Sequence, residues 1–294
     1  MNATNTNTND ITISSSAVLV DLHIRTWTGR KMDKKVSAEI DADKHTQVRA
    51  GNYNKALLAG SIELDSIIKY SASVRTWLTQ QTLPWNDAGT RLIPTARLFD
   101  FQAELGLREQ EFNRLVNEFL DKYNTLVQAA QFRLGALFDA DEYPDVETVA
   151  ARFSMYYVFS PVPEVGDFRV DIGNEGLAEL KKQYEASRNK YVQDAMNELW
   201  QRVRDVTERF SNQLRIDKNT GEKGRLYQAT LDGALELCEM LKTMNLTGDA
   251  ELERVRKDLF MTLNGVDLKE LKRDDIVRAD VKTELDALIS KLTF

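Results

Sequence analysis

Two long apolar stripes constrain this chain more than any other feature. Phe112, Leu115, Val116, Phe119, Leu120, Tyr123, Leu126, Val127, Ala130, Leu134 and Leu137 recur at steps of three and four residues. Leu177, Leu180, Tyr184, Tyr191, Ala195, Leu199, Val203, Val206, Phe210 and Leu214 do the same. That period is the α-helix's own, and it predicts helices over about 107–138 and 174–214. A narrow stripe kept this long needs another helix to cover it. The two are therefore expected to pack as a long antiparallel, coiled-coil-like hairpin.

Between them lies an expected α/β insert, residues 139–173. Tyr143-Pro144 precedes a short helix ending near Phe153, Met155–Phe159 is β-prone, and Pro161-Val162-Pro163 turns the chain. Phe168, Val170 and Ile172 then alternate as in a second strand. Upstream, Val18, Val20, Leu22 and Ile24 alternate in a β-branched run, the best strand candidate in the chain. A turn at Trp27–Lys31 leads into a polar helix over about 33–43. Ile62, Ile67, Ile68, Ser71, Val74 and Leu78 mark a further helix. The Pro/Gly-containing segment 83–94 also holds Trp85 and Ile93, which favour burial, so it reads as an ordered loop and not a linker. Downstream, helices are expected near 226–244, 249–263 and 274–292, with Asp249 and Asp274 at N-cap positions and Gly248 and Gly265 at the ends. The expected fold is mainly α. It comprises a polar disordered tail (1–16), a strand with helices (17–105), the hairpin with its insert (106–215) and a C-terminal helical subdomain (225–294).

The chain's 294 residues carry a formal net charge of −7, against the basic excess usual in duplex-DNA binders. One cysteine, Cys238, sits on an apolar helical face and reads as a buried small hydrophobe. There are two histidines, His23 and His45, and no HExxH, CxxC, P-loop, GxGxxG or GxSxG pattern. No metal, cofactor or catalytic residue is expected, and the chain is read as a non-enzyme. No segment approaches ~18 uninterrupted apolar residues, and the Asn/Thr-rich start lacks a signal peptide's pattern, so the expected location is cytoplasmic. Asp139, Asp141, Glu142 and Asp145 form a carboxylate cluster that suits either a loose divalent cation or a helix end followed by a new N-terminus.

Two surfaces stand out as binding candidates. Arg25, Arg30, Lys31, Lys34 and Lys35 surround Trp27 with only Asp33 against them. An aromatic among cations can stack a base while the cations hold phosphates, the chemistry of single-strand binding. The same run also suits a solvated helix start. In the insert, Tyr156, Tyr157, Phe159, Phe168 and Arg169 crowd a proline-constrained tip, suited to docking a protein or to forming the tip's own small core.

Trp27-Thr28-Gly29-Arg30-Lys31, Leu83-Pro84-Trp85, Tyr143-Pro144, Pro161-Val162-Pro163 and Asp167-Phe168-Arg169-Val170 occur in that order. In this the chain from about Ser16 onward resembles a family of phage and prophage proteins known only as a domain of unknown function. Members tend to be encoded near a MoxR-type AAA+ ATPase and a von Willebrand A-type protein. The resemblance implies a role accessory to such an ATPase, or to phage replication, in the bacterial host cytoplasm; the chain is expected to act as an adaptor, with that ATPase or, through its helical stripes, a second copy as partner. It brings no catalytic residues with it.

Overall fold

In the computed structural model, residues 13–163, 173–217 and 219–292 are described. A helical turn α1 (Ile13–Ser16) leads into β1 (Ala17–Arg25), followed by β2 (Arg30–Asp33), α2 (Lys34–Asp43), β3 (Tyr53–Ala56) and α3 (Ile62–Gln81). A short hairpin, β4 (Leu83–Pro84) and β5 (Arg91–Pro94), precedes the 37-residue α4 (Leu98–Leu134). Then come α5 (Val146–Ala150), β6 (Ser154–Pro161) and the 42-residue α6 (Gly173–Leu214). Four helices complete the chain: α7 (Gln228–Met244), α8 (Ala250–Leu263), α9 (Leu268–Arg273) and α10 (Asp275–Lys291). The structure is mostly helical, with one four-stranded sheet in the order β4-β5-β1-β6 and a β2–β3 pair. No described helix is long and apolar enough to cross a membrane.

The chain divides into two compact units that interleave in sequence. The first holds the residues up to Val20, Gln81–Phe99 and those from Phe159 onward; the second holds Asp21–Gln80 and Asp100–Val158. The two long helices therefore belong to different units, and each stripe finds its cover within its own unit. In the second unit α4 runs antiparallel to α3. Trp77 stacks on Phe101 at 5.0 Å, the Tyr70 hydroxyl donates to the Arg108 carbonyl at 3.2 Å, and Lys122 pairs with Glu63 at 3.1 Å. Leu64, Ile67, Val74 and Leu78 of α3 are buried, as are Phe112, Val116, Phe119 and Tyr123 of α4. Within the second unit α3 thus supplies the cover for the α4 stripe. A stripe states that a cover is required, not which helix supplies it.

In the first unit Ala195, Leu199, Val203, Phe210 and Leu214 of α6 share one apolar core with Leu231, Leu237 and Leu241 of α7, Leu252 and Leu259 of α8, and Leu285 and Leu288 of α10. The start of the α6 stripe is thinner, since Leu177, Leu180 and Tyr184 are only half-buried. At the other end, the last carbonyls of α6, which have no partner within the helix, accept from a guanidinium. Arg278, 1% exposed, donates from Nε to the Leu214 carbonyl at 2.8 Å and from Nη2 to those of Gln213 and Gly224, both at 2.7 Å. Gly224 passes so close that a Cβ there would lie 2.4 Å from the Gln213 carbonyl oxygen. Asp249 and Asp274 are N-caps as expected, each accepting from two backbone N–H groups. Cys238 is fully buried, and burial pushes its thiol up to about 11.

The predicted strand at 17–25 is β1, which pairs antiparallel with β5, Val18 opposite Ile93. The segment 83–94 is ordered, as expected, but as a hairpin: Trp85 is buried and lies 5.4 Å from the Tyr191 ring. β2 was expected to be part of a turn and helix start; its partner β3, more than twenty residues on, carries no alternating pattern of its own. The strand expected at 167–172 and most of the expected tail lie outside the described residues.

Candidate nucleic-acid interface

Asp33 decides the electrostatics of the basic run. As the N-cap of α2 its carboxylate accepts from the Lys35 and Val36 backbone N–H groups, each at 3.1 Å, and it also holds the Lys55 ammonium at 3.1 Å. The Val36 N–H, then Lys55, hold its carboxyl below the ordinary value. Lys55 is 4% exposed; it also binds Glu142 at 2.6 Å and the Leu137 carbonyl at 2.8 Å. Burial works against this ammonium, but the hydrogen bonds it donates to Glu142 and Asp33 outweigh it and raise its pKa. The one acid of the run thus faces inward, leaving Arg30, Lys31, Lys34 and Lys35 exposed. Lys31 retains only a loose contact with Glu142 at 3.7 Å.

Trp27 does not serve as the stacking ring of this run. Only 6% exposed, it packs against Phe119 and Tyr123 with ring centroids 6.3 and 6.0 Å away. An indole buries a large apolar area, and the α4 stripe beside it takes that area up. The tip assignment also changes. Tyr157 and Phe159 are half-buried, facing opposite to the exposed Tyr156 and Val158 along β6. Phe168 and Arg169 lie outside the described residues.

Two cavities in the second unit gather what remains. One, about 480 Å3, is lined by His23, Arg25, Arg75, Ser154 and Tyr156. Here β1 lies beside β6, and the His23 and Tyr156 rings stack at 4.7 Å and 18°, with Tyr156 51% exposed. The flanking guanidiniums are held by backbone carbonyls: Arg75 donates to that of Ile24 at 2.8 Å and Arg25 to that of Ala151 at 2.9 Å. The other cavity, about 440 Å3, has Trp27, Leu57 and Pro144 as apolar wall, Arg30, Lys31 and Arg152 as cations, and Asp141 and Glu142 as acids. Its wall is pinned by two phenols. Tyr123 donates to the Pro144 carbonyl at 2.8 Å and Tyr143 to that of Leu57 at 2.7 Å, and burial pushes the Tyr123 hydroxyl up to about 12.

The carboxylate cluster takes the helix-end form. Asp139 caps a 3₁₀ turn, Asp145 accepts from the Thr148 N–H at 2.7 Å at the start of α5, and Glu142 is held by Lys55. Among the described residues no three His, Cys, Asp or Glu side chains are grouped to hold a metal ion.

The structure thus keeps Arg25, Arg30 and Lys31 at the cavities, leaves Lys34 and Lys35 exposed on the adjacent helix start, and makes Trp27 a buried wall of the second cavity in place of a stacking ring. It adds His23, Arg75 and Arg152, and it brings Tyr156 from the expected protein-docking set to the cations. No local pattern marks Arg75 or Arg152: only folding brings Arg75 of α3 to the Ile24 carbonyl and Arg152, just past α5, into one lining with Trp27 and Arg30. Comparison with protein-family models, with characterised proteins and with solved structures finds no match to this chain.

Proposed function

We propose that this protein is a non-enzymatic single-stranded nucleic-acid-binding protein whose site is the β1–β6 face. The observation that carries the reading is the exposed His23–Tyr156 ring pair between two backbone-braced guanidiniums, Arg25 and Arg75. Exposed rings stack unpaired bases of any sequence, and cations beside them meet the phosphates. Duplex bases are already stacked, so the preference is for single strands. The acidic balance of the whole chain limits non-specific attraction to duplex, leaving the local cations to direct binding. The resemblance to phage proteins gives phage replication in the host cytoplasm as the setting.

Fluorescence anisotropy with a labelled oligothymidylate of about twelve nucleotides tests the reading. Tyr156→Ala and Arg75→Gln should each weaken binding while leaving the helical circular dichroism unchanged. Equal affinities for wild type and both variants would sink it.

A second reading, a protein adaptor, has one observation in its favour. Tyr156 and Val158 stand 51% and 48% exposed on an edge strand, and exposed tyrosine is a common interface anchor. The resemblance makes a MoxR-type AAA+ ATPase the partner to try. Binding of the purified ATPase that is lost in Tyr156→Ala, together with no oligonucleotide binding, would reverse the order of the two readings.

A further inference from the structure

We infer, resting on the single-strand reading above, that the bound strand does not end at the rings. It continues across Ala151–Arg152 into the second cavity, so the ligand is an extended oligonucleotide and not a mononucleotide. One hydrogen bond links the two linings: Arg25 Nη2, of the first, donates to the Ala151 carbonyl at 2.9 Å, and the next residue, Arg152, lines the second with Arg30 and Lys31. Arg75, Arg25, Arg152, Arg30 and Lys31 thereby form one track of five cations. Within the described residues the Arg30 and Arg152 guanidiniums have no side-chain or carbonyl partner, so both forks are open to phosphate oxygens. The acids nearby are mostly engaged: Asp33 is turned inward to Lys55, and Glu142 is bound by Lys55 at 2.6 Å. Asp141 remains on the rim of the second cavity without a cation. The apolar wall of Trp27, Leu57 and Pro144 gives the sugar a dry surface between the cations.

Each cation that meets a phosphate contributes about −0.7 to the slope of log K against log salt for a single strand. Five such contacts give a slope of about −3.5, and the double substitution Arg30→Gln/Arg152→Gln should reduce it in magnitude by about 1.4. Tyr156→Ala should leave the slope alone and lower affinity about fivefold to a hundredfold. The experiment is an anisotropy titration at several salt concentrations of oligothymidylates of about two and about twelve nucleotides. Both altered arginines are exposed, so the double variant should keep the wild-type melting curve. The expected result is a shallower slope for the longer strand in the double variant and no change for the dinucleotide. An unchanged slope and affinity for the longer strand, with Tyr156→Ala still weakening it, would overturn the extended path and leave the ring site standing. Absence of binding by the wild-type protein to either oligonucleotide would overturn the ring site as well.

Discussion

Replacing Arg278 with methionine should unfold the first unit at markedly lower denaturant. The guanidinium donates at 2.8, 2.7 and 2.7 Å to the carbonyls of Leu214, Gln213 and Gly224, and more distantly, at 3.4 Å, to that of Leu271. Two of these carbonyls close the last turn of α6, a position that favours a positive charge through the helix dipole. Methionine fills most of the volume and supplies no donor. Each buried acceptor left without a partner costs ~1–3 kcal/mol, and the three short bonds set a ceiling of ~9 kcal/mol. Removing the charge also removes its desolvation cost, and water reaching the exposed loop at Gly224 recovers part of the loss. About 3–5 kcal/mol is the expected net effect, the size found when a buried charge network is broken. Lysine in its place offers a point charge instead of a planar fork and should recover only part of it. Urea unfolding followed by tryptophan emission reads this by unit, since Trp85 and Trp200 lie in the first unit and Trp27 and Trp77 in the second. A loss below ~1 kcal/mol in Arg278→Met would refute the capping argument.

Other outcomes follow from the same packing. Gly224→Ala should cost ~1–3 kcal/mol, because its Cβ would press on the Gln213 carbonyl; a denaturant midpoint equal to wild type contradicts that. Trp27→Ala should cost ~3–5 kcal/mol as a core truncation, measured by thermal melting, whereas Tyr156→Ala should change stability by less than ~0.5 kcal/mol. Lys55→Met should destabilise the second unit by ~3 kcal/mol by stranding Glu142 and Asp33. It should also flatten the pH profile. The lowered Asp33 pKa gives stability that is present above its unfolded value of 3.8 and lost as pH falls through the folded value. The raised Lys55 pKa gives stability that is present below 10.5 and lost as pH rises through the folded value. Wild-type melting temperatures that stay level through both limits would show that the triad is not coupled to folding.

Periodicity located the long helices, β1 and the capped helices after Asn245 because each is signalled within a few turns of chain. Their partners were another matter. The α3 stripe includes Ser71 and is shorter than that of α6, so stripe length did not mark α3 as a neighbour that packs on α4. The candidate site was half legible. Arg25, Arg30 and Lys31 belong to a visible basic run, and Tyr156 to a visible aromatic one, but only folding brings β1 beside β6. Trp27 misled because a tryptophan among cations reads the same whether its indole faces bases or Phe119. Lys55 carried no signal at all; its isolation between Asn54 and Ala56 gives no hint that two acids, one nearly ninety residues away, converge on it.

The most direct test of strand binding at the β1–β6 face is photocross-linking with a 5-bromodeoxyuridine-substituted oligonucleotide, the adduct being mapped by mass spectrometry. A base stacked on this face should leave its adduct on the peptide containing Tyr156 or the one containing His23, and Tyr156→Ala should diminish it. Adducts confined to peptides of α6 through α10, or none under conditions where a known single-strand binder is labelled, would contradict the account.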